Sequence, residues 1–141
     1  MPLVFDVQEE KRRVIVTATG SMTLRELTQA TATVRVGDVV RYGILIDLTN
    51  ASVPLTAGEV DWMVNYTAAL RRVSGPRGAV AMVTPRDADY GMWRMFEIRA
   101  ENADLDAIRA FRTVQEATRW LDEVALLPSL SMTDQHKPLS R

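Results

Sequence analysis

The residues whose types and placing could do chemistry in this chain are carboxylates and hydroxyls. The sequence has no cysteine and a single histidine, His136. Thiolate nucleophiles, disulfides and Cys-ligated metals are therefore ruled out. His136 lies in a polar C-terminal stretch, so neither a Ser-His-Asp triad nor a His-built metal site is expected inside the fold. Three aspartates are better placed. Asp47 ends one apolar run, and Asp87 and Asp89 follow the next. Open α/β sheets form their ligand crevices outside the carboxyl ends of the strands. The three could share one rim there and hold a Mg²⁺ ion, or one could accept a phosphate. An aspartate after a strand more often caps a turn, so no metal and no other cofactor is expected.

The hydroxyl of interest is Thr56. With Glu59 it forms a Thr-x-x-Glu capping box, in which side chain and backbone satisfy two otherwise unpaired helix amides reciprocally. That structural role is sufficient to explain the residue. A phosphate on the same oxygen would meet free helix amides and the positive end of the helix dipole. A second candidate constellation is aromatic. Trp62, Tyr66, Tyr90, Met92 and Trp93 could converge, with Arg94 as one cationic contact, into a pocket for a small apolar or lipid-like ligand. The competing reading makes them core, or gives one exposed aromatic to a dimer interface. Gly75-Pro76-Arg77-Gly78 is not a phosphate loop, because it lacks the Gly-Lys-Ser/Thr ending and leads into a strand. No Gly-x-Gly-x-x-Gly fingerprint is present.

The elements that would position these residues follow from periodicity. Leu3, Phe5 and Val7 alternate with polar positions, and a β-branched run from Val14 to Ala18 completes a hairpin around the charged turn Glu9-Glu10-Lys11. Gly20 closes the second strand. Thr23 and Glu26 form a capping box, and Leu24, Leu27, Thr31 and Val34 then recur at helical spacing until about Gly37. Tyr42 to Leu48 is a nearly continuous apolar run, as suits a strand covered on both faces. Thr49 to Leu55 reads as a loop, followed by a helix from Thr56 to about Val73. Ala79 to Val83 is another apolar strand, and a third helix begins at Asp87 or Asp89. Ile108 to Phe111 is the last strand, and Thr113 with Glu116 opens an amphipathic final helix.

The expected order is ββαβαβαβα: an α/β fold with an N-terminal hairpin as antiparallel edge, a mostly parallel central sheet and about four helices packed on it. Residues 1–127 read as a single domain and 128–141 as a polar, mobile tail. The chain has 141 residues, 47% hydrophobic and 25% charged, with net charge −1. That balance carries no electrostatic footprint for nucleic acid or an anionic membrane. No apolar stretch approaches the ~20 residues of a membrane span. The opening residues include Asp6 and no basic segment before an apolar run, so no secretory signal is expected and the chain reads as soluble and cytoplasmic.

This order resembles the STAS (anti-sigma-factor antagonist) family, and in particular its bacterial SpoIIAA-like branch. The family carries a run resembling Leu-Asp-Leu-Ser-x-Val-x-Phe-x-Asp-Ser-x-Gly after its third strand. This chain has Ile46-Asp47-Leu48-Thr49-Asn50-Ala51-Ser52-Val53-Pro54-Leu55-Thr56-Ala57-Gly58. Asp47, Leu48 and Gly58 match, Thr49 replaces the serine, and Thr56 falls on the family's regulatory phosphoserine. The acidic residue before that phosphoacceptor is here Leu55, preceded by Pro54. The resemblance spans about Leu3 to Leu126. It implies a non-enzymatic regulatory or protein-interaction module whose partner is another protein. Its contact loop would hold Asp47, Thr49, Asn50, Ser52 and Gly58, and Thr56 would be the candidate phosphoacceptor. A homodimer is the expected assembly. The alternative is a carrier or sensor of a small apolar ligand held between helices, because STAS-type sheets also resemble those of a lipid-binding fold. The two readings differ in interior volume: a carrier needs on the order of 300 Å³ or more. A third reading is an enzyme using the acidic rim.

Overall fold

The local signals are strongest at the helix starts, and these set the frame. Thr23 and Thr56 stand in extended backbone before α1 (Leu24–Val34) and α2 (Ala57–Ser74), each with its capping box closed in both directions. The computed structural model describes residues 3–105 and 107–127. Strands β1 (Leu3–Gln8) and β2 (Arg13–Ser21) are joined by a 3₁₀ turn at Glu9–Lys11, and β3 is Gly43–Ser52. Then come β4 (Val80–Val83), α3 (Asp87–Asn102), β5 (Ile108–Phe111) and α4 (Val114–Ala125). At α4, Thr113 Oγ accepts from the Glu116 N–H at 3.2 Å, but its own hydroxyl contacts the Glu116 carboxylate.

The five strands lie in the order β1-β2-β3-β4-β5, with β1 antiparallel at one edge and the others parallel. A sheet that grows in one direction by right-handed crossovers stacks its crossover helices on one face. Leu24 and Leu27 of α1, Val60 and Met63 of α2, and Trp93, Phe96 and Ala100 of α3 accordingly share one core with Val14, Val16, Ile44, Ile46 and Met82. The strand residues of opposite parity, Leu45, Ala81 and Val83, meet Ala117 and Leu121 of α4 on the other face. Arg13, 5% exposed, donates to Asp122 at 2.8 Å and ties α4 to β2. β3 is therefore the central strand, buried on both faces as its apolar run implies.

Two segments depart from the sequence reading. β3 does not end at Leu48. It pairs with β2 through Ser52, and the register gains one residue between Thr17↔Asp47 and Thr19↔Asn50. This bulge keeps Leu48 and Ala51 both facing the core and leaves Thr49 and Asn50 in succession on the outside. The second departure is a 3₁₀ turn at Gly37–Arg41 that carries buried Val40. The segment 128–141, with His136, lies outside the described residues. Among the described residues no helix is long and apolar enough to cross a membrane.

Candidate functional site

The carboxyl end of the sheet collects most of the candidate residues. Asp47 Oδ1 accepts from the Thr49 N–H at 3.0 Å and from the Thr49 hydroxyl. Its carboxylate thus satisfies the backbone amide that the bulge removes from the ladder. Asp47, Thr49, Asn50 and Ser52 belong to a strand, so the expected contact loop is corrected to a strand end followed by the short connection 53–56. Asn50 and Gly58 are exposed and Ser52 is half-buried.

Thr56 is exposed, and its Oγ accepts from the Glu59 N–H at 3.1 Å while Glu59 accepts from the Thr56 N–H at 2.9 Å. The start of α1 lies alongside, with Thr23 and Glu26 in the same arrangement. Between the two helix starts runs a groove lined by Thr23, Leu24, Arg25, Gly58, Glu59 and Trp62. The Arg25 guanidinium sits 5.8 Å from the centre of the Trp62 ring, a distance at which the ring face attracts a cation. A Cβ added at Gly58 would meet only Thr56 Oγ1, at 3.8 Å, so the surface there is open.

The three rim aspartates do not assemble. Asp87 pairs with Arg112, Asp89 accepts from Arg86 at 2.8 Å, and Asp47 is engaged by Thr49. Arg86 also donates to the Ala51 carbonyl at 2.6 Å, locking the end of β3 to the start of α3. Among the described residues no three histidines or carboxylates are placed to hold a metal ion.

The aromatic pocket is also rearranged. Trp62 and Tyr66 stack at 5.0 Å with an interplanar angle of 9°. Tyr90 lies instead under the Arg112 guanidinium at 4.3 Å. Arg94 pairs with Glu97, and Met92 is only partly buried against the core. Residues 90–94 exceed one helical turn, so they cannot all point toward α2. Trp93 turns inward and is 2% exposed. Of the six predicted residues, Tyr66 and Trp93 line a cavity. That cavity, of about 120 Å³, lies between α1, α2, α3 and the sheet, with Met63, Met82 and Phe96 among its walls.

Buried charges are what the sequence reading missed. Arg35, 6% exposed, donates to the carbonyls of Val40 at 2.9 Å, Tyr42 at 3.1 Å and Gly78 at 3.2 Å. It holds the end of α1 to the entries of β3 and β4. Glu97, 9% exposed, accepts from the Ala110 N–H at 2.9 Å and so occupies the outer edge of β5. The Tyr42 hydroxyl donates to Glu9, and that hydrogen bond pushes the phenol pKa above its ordinary value, with burial adding to it. Comparison of the chain with protein-family models, curated proteins and solved structures found no match in any of the three.

Proposed function

We propose that this α/β domain is a non-enzymatic regulatory or protein-interaction module of the STAS type, acting in the cytoplasm as a homodimer. Its contact surface is the end of β3 and the start of α2, and its switch is phosphorylation of Thr56. The observation that carries the reading is the setting of that hydroxyl: exposed, at a helix N-terminus, and beside a groove holding Arg25. A phosphate there adds nearly two negative charges. It gains the amides of the first turn and repels Glu59, which now holds the Thr56 N–H. The exposed groove between the two helix starts would then change both charge and shape. Leu55, in place of an acidic residue, implies a kinase that reads other features of the strand end.

Interior volume supports this reading over a carrier of lipid-sized ligands. The cavity between the helices and the sheet, about 120 Å³, falls well below the roughly 300 Å³ that such a site requires, and the larger groove at the helix starts, about 510 Å³, is open to solvent and belongs to the contact surface. The test is a comparison of the native chain with Thr56→Ala and Thr56→Asp for retention of its cellular protein partner. The module reading expects the two variants to retain it to opposite extents. Equal retention by all three forms would contradict the switch.

A further inference from the structure

The two edges of the sheet are finished differently. At β5 the Glu97 carboxylate accepts from the Ala110 N–H at 2.9 Å and so blocks that edge to another strand. At the other edge β1 pairs with β2 without interruption, from Leu3↔Ala18 to Gln8↔Arg13. Among the described residues no strand lies beyond it. Sheets usually guard such an edge with lysine, proline or a bulge. Leu3-Val4-Phe5-Asp6-Val7-Gln8 has none of these, and Asp6 is its only charge. Its apolar side chains are also incompletely covered. Leu3 and Phe5 pack only partly on the core beneath the helices, while Val7 is 37% and Val4 63% exposed. A strand alongside supplies the missing cover.

The residue order of β1 selects the strand that fits. Leu3 and Val7 flank Phe5 on the face covered by α1 to α3, and Val4 and Asp6 flank it on the other. A two-fold axis normal to the sheet lets one edge pair with itself, antiparallel, with the helices of both copies on matching sides. A second copy thus supplies the complementary strand by symmetry alone. Opposed residues must point to the same face, so pairing along most of the strand centres on either Phe5 or Asp6. Centring on Asp6 sets it against the partner's Asp6, and like charges directly opposed are destabilising. Centring on Phe5 sets it against the partner's Phe5, Leu3 against the partner's Val7, and Val4 against the partner's Asp6. Aromatic and branched pairs of this kind stabilise adjoining strands. We propose that β1 is the dimer interface, with two copies of this chain pairing antiparallel about Phe5 into one continuous sheet. The inference rests on the homodimer of the proposed reading and adds where its axis lies. One strand a side is less than the roughly 20–30 residues a side of a standard interface, so the dimer dissociates on dilution.

Sedimentation velocity of the full chain over a wide range of concentration measures the dimer. Isotope-filtered NOEs in mixtures of labelled and unlabelled chain locate it. The expected result is a reversible dimer with contacts between the Leu3 methyls of one copy and the Val7 methyls of the other. Val4→Asp and Val4→Lys test the register, because Val4 is exposed and stands opposite the partner's Asp6 on both sides of the axis. Like charges should weaken the pairing and opposite charges strengthen it, so the two dissociation constants should differ by about ten-fold. A dimer in which both variants associate equally, with no intermolecular contact at β1, overturns this interface and leaves the homodimer standing. A chain that is monomeric at every concentration overturns both. Slow exchange of the β1 amides in such a monomer would assign the edge to the chain's own remaining residues.

Discussion

Replacing Gly78 and Gly91 by alanine should move stability in opposite directions. Gly78 precedes β4 and its amide donates to the Val40 carbonyl at 3.0 Å. A Cβ there would fall 2.6 Å from the Arg41 carbonyl oxygen and closer still to the carbonyl of Tyr42. Carbon needs roughly 3.5 Å from such atoms, so backbone has to separate from backbone. The separation strains the Gly78–Val40 bond and the contact from Arg35 to the Gly78 carbonyl. Overpacking at ~1–3 kcal/mol, with one neutral and one charged hydrogen bond weakened, sums to about 4 kcal/mol. For a chain of this size that lowers Tm by roughly 8–16 °C. Gly91 is exposed within α3, and a Cβ there meets nothing within 4 Å. Gly91→Ala should therefore stabilise by about 0.5–1 kcal/mol through helix propensity. Urea denaturation followed by circular dichroism, with m unchanged, reads both. A Gly78→Ala protein within 1 kcal/mol of native, or a destabilised Gly91→Ala, would refute the close-approach argument.

Other perturbations follow from the same contacts. Glu97→Ala leaves the buried Ala110 N–H without its acceptor. It should cost about 1–3 kcal/mol and speed hydrogen exchange at Ala110, whereas Glu97→Gln keeps an acceptor and most of the stability. Unchanged exchange in Glu97→Ala would count against the edge-capping role. Thr56→Ala removes the N-cap of α2 and should cost about 1 kcal/mol by thermal melting; no change would mean that solvent replaces the cap. Tyr42 is held protonated in the fold by its bond to Glu9. Its contribution is present below the ordinary tyrosine range near ~10 and is lost as pH rises through the higher folded value. Alkaline stability should therefore fall more steeply in the native chain than in Tyr42→Phe, and superimposable pH profiles would contradict that coupling.

Features governed by neighbours in the chain were legible in the sequence. The boxes Thr23–Glu26 and Thr56–Glu59 involve residues three apart, and both are closed in the structure. The apolar run from Tyr42 to Leu48 implies a doubly covered strand, and β3 is that strand. The polar extension of β3 is not legible, because Asn50 and Ser52 pair with β2 only past a bulge that leaves Thr49 out of the register. Arg35 gave no signal either. Its acceptors lie 5, 7 and 43 residues away, the first within and the second just after a 3₁₀ turn that the pattern does not announce. The aromatic pocket failed through helical phase. Trp93 and Tyr90 share an aromatic type but not a helix face, and α3 turns one inward and the other toward Arg112. Tyr66 and Trp93 do line one cavity, but its remaining walls come from α1 and the sheet.

Native mass spectrometry of the chain purified from its own cells tests the central claim most directly, because it reads covalent phosphate and assembly together. The account predicts a dimer in which a fraction of chains carries one phosphate, mapped by fragmentation to Thr56. A bare polypeptide mass under every growth condition, or a phosphate elsewhere with Thr56 unmodified, would contradict it.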